Sequence, residues 1–378
     1  MTISPRFLQI HGLHTYTAAL INRDDTGLAK KMLYGGTMRT RISSQCLKRH
    51  WRVAENDPHA LQNVAGFVDS VRSRELVTHL VIAPLRSQFD SAIIDAIEPE
   101  FQKLVYGDKA DKGKKSRQTL LLGEPELKFL AENAARIAGE ATDAKSAAAL
   151  VKDWVKGVNY KAMAANASAP AGVPAAMFGR MVTSDPKANI DAPVHVAHAF
   201  TVHGEETEGD YFTAVDDLAS DSESGTGADT VQETEVNSGL FYSYEVIDLP
   251  GLIANCGGDK ELASRLVHNL IYLIAEVSPG AKKGSTAPYS RADLLLVETG
   301  DRAPRSLAEA YRKAVPHDRE VAVRALDTHL TALDETYATG EERRLLSLSP
   351  ETVGGMSRSS LKDVAEWAAA RVLEAPDV

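Results

Sequence analysis

Strand-forming residues alternate from Phe7 to Leu20 (FLQIHGLHTYTAAL), a period of two that predicts a first β-strand. From Ser43 the period changes to that of an amphipathic helix. At about 100° per residue, Gln45, Lys48, Arg49 and Arg52 fall on one stripe, and Cys46, Leu47, His50, Trp51 and Ala54 fall opposite. From about Pro58 to Tyr160 the pattern is helical and Ala-rich, as in AGFVDSVRSRELVTHLVI and ELKFLAENAARIAGE. That length is too great for a connection, so it reads as a helical insertion. AMFGRMVTS (Ala176–Ser184) returns to the core, and VHVAHAFTVH (Val194–His203) predicts a strand. LFYSYEVIDL (Leu240–Leu249) and DLLLVET (Asp293–Thr299) predict two more. Helices are expected over Asp259–Val277, Ser306–Val315, Glu320–Ala338 and Ser360–Glu374. Without its insertions the chain runs β-α-β-β-α-β. That is the ferredoxin-like order shared with RNA-recognition modules, and the expected fold class is α+β.

Composition adds limits. The 378 residues suit one large domain or two, and 44% hydrophobic content is ordinary for a globular protein. No run approaches the ~18 apolar residues that span a bilayer, and MTISPRFLQIHG is not a signal peptide, so no membrane and a cytoplasmic location are expected. Cys46 and Cys256 are two and far apart, which suits a reducing compartment and offers no thiolate zinc spacing.

Charge changes the picture more. Residues Arg23 to Arg52 hold eight Lys or Arg against Asp24 and Asp25, a net +6 inside a chain whose total is −10, so the remainder sums to about −16. Ser43 or Ser44 can cap the helix, and its free N–H groups add to the basic side chains as an anion site. Gly35-Gly36 permits a tight turn or close approach of a ligand. This suits a phosphate backbone lying across a loop and a helix start. Conversely, Glu205 to Glu235 holds eleven acids and no Lys or Arg, around the apolar Tyr211-Phe212-Thr213-Ala214-Val215 and a Gly/Ser-rich ASDSESGTGAD. It reads as a long excursion between two strands, with Tyr211-Phe212 at its root either as core or as a platform for bases. Such an arm is repelled by phosphates. It could instead reach a basic face of another copy, giving head-to-tail assembly, or stay a solvated loop.

Other chemistry is weaker. KADKGKKSR (Lys109–Arg117) is a second basic cluster, and its GKKS is not a phosphate loop because Gly107 is misplaced and Lys115 stands where Ser or Thr is needed. His195, His198 and His203 suggest a metal, but strand alternation points His198 away from the other two, so they read as structural. Asp216-Asp217 reads as solvated. Asp24-Asp25 could serve a metal-dependent RNase, or could order the loop by pairing with Arg23 and Lys30, the reading preferred here.

LINRDD, the Gly-Gly turn, RTRISSQCLKR, FGRM, YFTAVDDL, NSGLFY and PGAK occur in this order, and together they resemble the CasC family, the backbone subunits of the type I-E CRISPR Cascade complex. The resemblance implies an RRM-like palm (1–57, 166–203 and 239–378), a helical fingers insertion (58–165) and a long acidic thumb hairpin (204–238). It implies a noncatalytic, cofactor-free subunit that polymerises along CRISPR RNA with other Cascade subunits and presents the guide to target DNA. RNA contacts carry over onto Arg23, Lys30, Ser43, Gln45, Lys48, Arg49, Arg180, Met181, Tyr211, Phe212 and Thr213, with Val231 matched to the thumb-tip apolar residue. Tyr211 stands where the family often has Trp. Lys109 to Arg117 would stand in for the lysines that meet target DNA. Because guides vary in sequence, such a subunit must read backbone and leave base edges to pairing. The alternatives are a metal-dependent RNase using Asp24 or Asp25 and a single-copy RNA-processing protein.

Overall fold

The computed structural model describes residues 5–107, 110, 115, 117–156, 171–182, 186–215 and 228–376. In chain order its strands are β1 (Phe7–Ala19), β2 (Lys31–Tyr34), β3 (Thr37–Ile42), β4 (Ser70–Ser73), β5 (Leu120–Gly123), β6 (Val194–Val196), β7 (Ala199–Thr201), β8 (Thr207–Val215), β9 (Ala228–Asp248), β10 (Ala292–Gly300) and β11 (Glu342–Ser347). Its helices are α1 (Ser44–Arg52), α2 (Ser91–Tyr106), α3 (Glu124–Glu140), α4 (Ala144–Val155), α5 (Val173–Phe178), α6 (Leu249–Asn255), α7 (Lys260–Glu276), α8 (Lys283–Thr286), α9 (Arg319–Tyr337) and α10 (Leu361–Leu373). The chain divides into two compact units. One comprises Met1–Leu61, Val196–Ile247 and Leu266–Ala375; the other is built mainly of Gln62–His195 with Asp248–Arg265. No helix among the described residues is long and apolar enough to cross a membrane.

The first unit is organised on a sheet of order β11-β10-β1-β9-β7-β3-β2, with β8 paired to β9 alone. Alternation along the strands assigns its two faces. Leu13, Phe200, Leu240 and Tyr242 point to a core closed by Val323, Leu326 and Leu330 of α9. Their neighbours His14, Ala199, Phe241 and Ser243 point the other way and enclose a small cavity with Leu47 and Trp51 of α1 and Ile274 of α7. So α1 lies on the sheet through Leu47 and Trp51, both buried, while Gln45 and Arg49 on its other stripe are exposed, as the periodicity predicts.

Several segments differ from the sequence reading. Lys31 to Ile42, read as loop, is a β-hairpin in which Tyr34 faces Thr37. Gly35 and Gly36 have φ of 59° and 79°, the left-handed pair that a two-residue hairpin turn requires. A Cβ on Gly35 would lie 1.6 Å from the Arg312 carbonyl oxygen, so this position admits no side chain. The strand expected over Val194–His203 is broken into β6 and β7, with Ala197 and His198 between them. The helix expected over Ser306–Val315 shrinks to a 3-10 turn, Ala308–Tyr311. There the Val315 N–H donates to Val202 and not to Tyr311, so an i→i−4 ladder is not continued, and Arg39 donates to the carbonyls of Tyr311 and Arg312. The strand β11 was not expected. Its Arg343 ion-pairs with the fully buried Glu298 and with Asp334, which holds a charged strand against β10.

The second unit is built around α2, α3 and α4, which share a core of Ile94, Phe101, Leu130, Ile137 and Val151. It is not wholly helical as expected, because Ser70–Ser73 and Leu120–Gly123 pair as a two-stranded sheet. Lys115 and Arg117 apart, the charged residues of the Lys109–Arg117 cluster lie outside the described residues.

Candidate nucleic-acid interface

The loop before β2 closes on itself. Arg23 bridges to Ala29, and the Lys30 N–H donates to the Asn22 carbonyl, so Arg23 and Lys30 flank the neck of a short finger. Asp24 holds the finger from within. Its Oδ1 accepts from the Thr26 N–H (2.9 Å), the Thr26 hydroxyl (2.7 Å) and the Leu28 N–H (3.1 Å). The Thr26 hydroxyl bond, foremost among these, keeps the carboxyl below its usual range. Asp24 therefore orders the loop as expected of a structural residue, but through amide and hydroxyl donors and not through Arg23 or Lys30. The neck joins α1 directly, since the Asn22 side-chain oxygen accepts from the Ser43 N–H at 2.9 Å. Ser43 is the N-cap, its hydroxyl accepting from the Cys46 N–H. It is buried, and its hydroxyl serves the helix first.

Around this helix start the cations converge. His198 is held below its usual pKa by burial and then by Arg41, Lys30 and Lys48. Arg41 Nη1 lies 3.0 Å from His198 Nδ1. His198 was expected to be structural and directed away from His195 and His203; it lies in the break between β6 and β7, against Arg41. Burial pushes the Cys46 thiol up to about 11 despite Lys30 and Arg49, and burial followed by Lys283 and Arg49 lowers His50. The Arg41 N–H donates to the Lys30 carbonyl at 2.8 Å, which sets these two residues side by side ahead of α1, where Gln45 and Arg49 are exposed.

Two of the eight basic residues in this window do not belong to that face. Arg39 is fully buried and donates to the carbonyls of Thr201 (3.0 Å) and Tyr311 (3.1 Å). Lys31 ion-pairs with Glu205 and, at 3.7 Å, with Glu235. The net +6 read from the sequence therefore overstates the charge available to a ligand.

Glu205 and Glu235 stand at the root of an arm, the ribbon of β8 with the first half of β9. Asn237 joins its two sides by donating to Thr207 Oγ1 (2.8 Å). Glu206 at the same root meets His317 at 2.8 Å. Glu205 and Glu235 share the one cation of Lys31, so the stretch is not wholly uncompensated as expected. Tyr211 and Phe212 are not at the root but four and five residues outward, opposite Glu233 and Gln232. Consecutive strand residues face opposite sides, and these are 66% and 40% exposed. Lys282 Nζ lies 5.1 Å from the Phe212 ring centroid. Thr213 pairs with Val231 across the ribbon, and the side chains of both lie outside the described residues, as do Asp216, Asp217 and the rest of residues 216–227.

Arg180 and Met181 belong to the second unit. Met181 is 67% exposed, and its carbonyl accepts from Gln118. Arg180 is another matter. Its guanidinium is buried, with Nη1 2.8 and 2.7 Å from the two carboxylate oxygens of Glu126, while Nε and Nη2 donate to the Ala188 carbonyl. This placement does not fit the expectation that Arg180 contacts RNA: the side chain is consumed inside the fold.

Among the described residues His203, Glu206 and His317 present ligand atoms within 4.8 Å of one another. The hydrogen bonds argue against a metal there. His203 Nε2 accepts the Leu240 N–H and Nδ1 lies 2.6 Å from the Gly204 carbonyl, so one tautomer is fixed and neither nitrogen is spare. The sequence reading missed Arg41, Lys282 and Lys283. Their signal was present in the basic count and in PGAK, but nothing in one dimension brings residue 283 to residue 50.

The family model described as CT1975-like protein matches residues 8–370. A chain of a CRISPR RNA-guided surveillance complex, pre-nicking, is similar with a TM-score of 0.75 at 26% identity, over 97% of this chain and 100% of that one. A chain of a second CRISPR RNA-guided surveillance complex has a TM-score of 0.59 at 22% identity over 96% and 99%, a likeness of fold. No curated protein matches.

Proposed function

The chain belongs to the CT1975-like protein family, and from that premise we propose that it is a backbone subunit of a CRISPR RNA-guided surveillance complex, holding guide RNA along the face of α1. The observation that carries this reading is geometric: the Arg41 N–H donates to the Lys30 carbonyl, the Asn22 side chain ties the same neck to Ser43 at the start of α1, and Gln45 and Arg49 of that helix are exposed. Phosphates would be met there by ammonium and guanidinium groups, none of which distinguishes one base from another. A backbone that carries guides of any sequence needs that indifference.

The strand order β10-β1-β9-β7, with α1 and α7 between strands in sequence, supports a ferredoxin-like, RRM-like palm. The β8–β9 arm corresponds to the thumb, and the unit of α2, α3 and α4 to the fingers. Copies would assemble head to tail on the RNA in the cytoplasm, with the outer acids of the arm directed to a basic face of the next copy, beside other subunits and with target DNA as the final ligand. A noncatalytic role is supported by Asp24, whose Oδ1 is occupied by three donors of its own loop. These give Asp24 a loop-ordering task that the alternative RNase chemistry does not call for.

Assembly is testable by mass. On single-stranded RNAs of stepwise increasing length, complexes should gain whole subunits at a constant nucleotide interval. A single copy on RNA of every length would overturn the assembly.

A further inference from the structure

The loop from Ser278 to Arg291 is built more firmly than a connection between a helix and a strand requires. The Ser278 hydroxyl donates to the Ser290 carbonyl and accepts the Ser290 N–H, pinning the two ends together (3.0 and 2.9 Å). The Ala281 N–H donates to the Leu20 carbonyl, which ties the loop to the end of β1. Gly280 admits Pro288, whose Cγ would lie 2.6 Å from an added Cβ. The Tyr289 N–H donates to the Ala287 carbonyl at 2.7 Å.

What this loop presents is an aromatic ring and two ammonium groups. Tyr289 is 73% exposed. Lys283 Nζ lies 6.0 Å from its ring centroid, and Lys282 Nζ 5.1 Å from that of Phe212 on the arm. A single exposed tyrosine is ordinary on a protein surface. Here the ring sits on a pinned loop with a cation at its face, and the same Lys283 acts on His50 of α1.

We infer that Tyr289 is a stacking platform for one unpaired base of the bound RNA, and that Lys282 and Lys283 carry the phosphate track from α1 toward the arm. This rests on the RNA-binding reading above and extends it to residues outside the α1 face. A base stacked on Tyr289 brings its own phosphate within reach of Lys283, so one nucleotide engages both. Stacking suits a guide of variable sequence because every base has a π-face. The pinned loop has already lost the freedom that binding would otherwise remove.

The test uses the full chain and a labelled single-stranded RNA of mixed sequence. Tyr289→Ala is expected to weaken binding by about 5- to 150-fold, the range for losing one stacked base, and Tyr289→Phe to retain near-wild-type affinity. Lys282→Gln/Lys283→Gln should lower the slope of log affinity against log salt by about 1.4. Wild-type affinity in Tyr289→Ala, with binding lost in Lys48→Glu/Arg49→Glu, would overturn this inference and leave the α1 face standing. Equal loss in Tyr289→Phe and Tyr289→Ala would overturn the stacking role. A wild-type chain that binds no RNA would overturn both readings.

Discussion

Reversing Lys48 and Arg49 to glutamate together is expected to weaken RNA binding by on the order of 100-fold or more. Each charge-assisted hydrogen bond contributes ~1.5–3 kcal/mol, and every ~1.4 kcal/mol is tenfold in affinity. Replacement by carboxylates adds repulsion to that loss. The fold should survive. What fixes α1 to the sheet is the burial of Leu47 and Trp51 and the Ser43 cap, none of which the substitutions touch. Arg49 lies in the last turn, where a cation favours the helix dipole, so glutamate there costs roughly 1 kcal/mol of stability. Affinity by fluorescence anisotropy, with a thermal melt of the same sample, separates the two effects. Unchanged affinity would remove α1 from the interface.

Arg180→Ala is expected to destabilise the second unit by about 3–5 kcal/mol, because it leaves the Glu126 carboxylate buried without a counter-charge. Glu126 is fully buried, and its other contact is the Gly123 N–H at the start of α3. The double variant Arg180→Leu/Glu126→Leu should recover much of that loss, since it removes both charges and leaves apolar volume. Urea unfolding measures each variant. An Arg180→Ala chain of wild-type stability that nonetheless loses RNA would restore Arg180 to the interface and contradict its structural role.

The arginines of this chain show what a sequence conveys and what it withholds. The α1 stripe was legible because a period of 3.6 leaves Gln45 and Arg49 outside whenever Leu47 and Trp51 go in. The Ser43 cap was legible for a similar reason: capping is local chemistry. Arg39 and Arg180 were not, because a charge count says nothing about where a long side chain ends. Arg39 ends on the carbonyls of Thr201 and Tyr311, more than 160 residues away in sequence. SLAEAYRKAV looks helical, yet it forms only a 3-10 turn, with the Val315 N–H turned to the Val202 carbonyl on a neighbouring strand. The β2–β3 hairpin, by contrast, is signalled locally by Gly35-Gly36 between two short strand-like runs, although the basic residues of those runs also suit a loop. His198 was read as facing away from His203, and it meets Arg41 while His203 meets Leu240 and Gly204. Asp24 had the role expected of it but different partners, since Asx turns with neighbouring amides compete with ion pairs in a short loop.

The central claim is that the face formed by Lys30, Arg41, Lys48 and Arg49 holds guide RNA. The most direct measurement is to co-express a tagged copy with a CRISPR array and its companion subunits, purify it, and sequence the RNA that remains bound. Discrete, repeat-flanked guides of uniform length are the predicted result. Random cellular RNA would reduce the protein to a generic RNA binder, and a preparation without RNA would contradict the account.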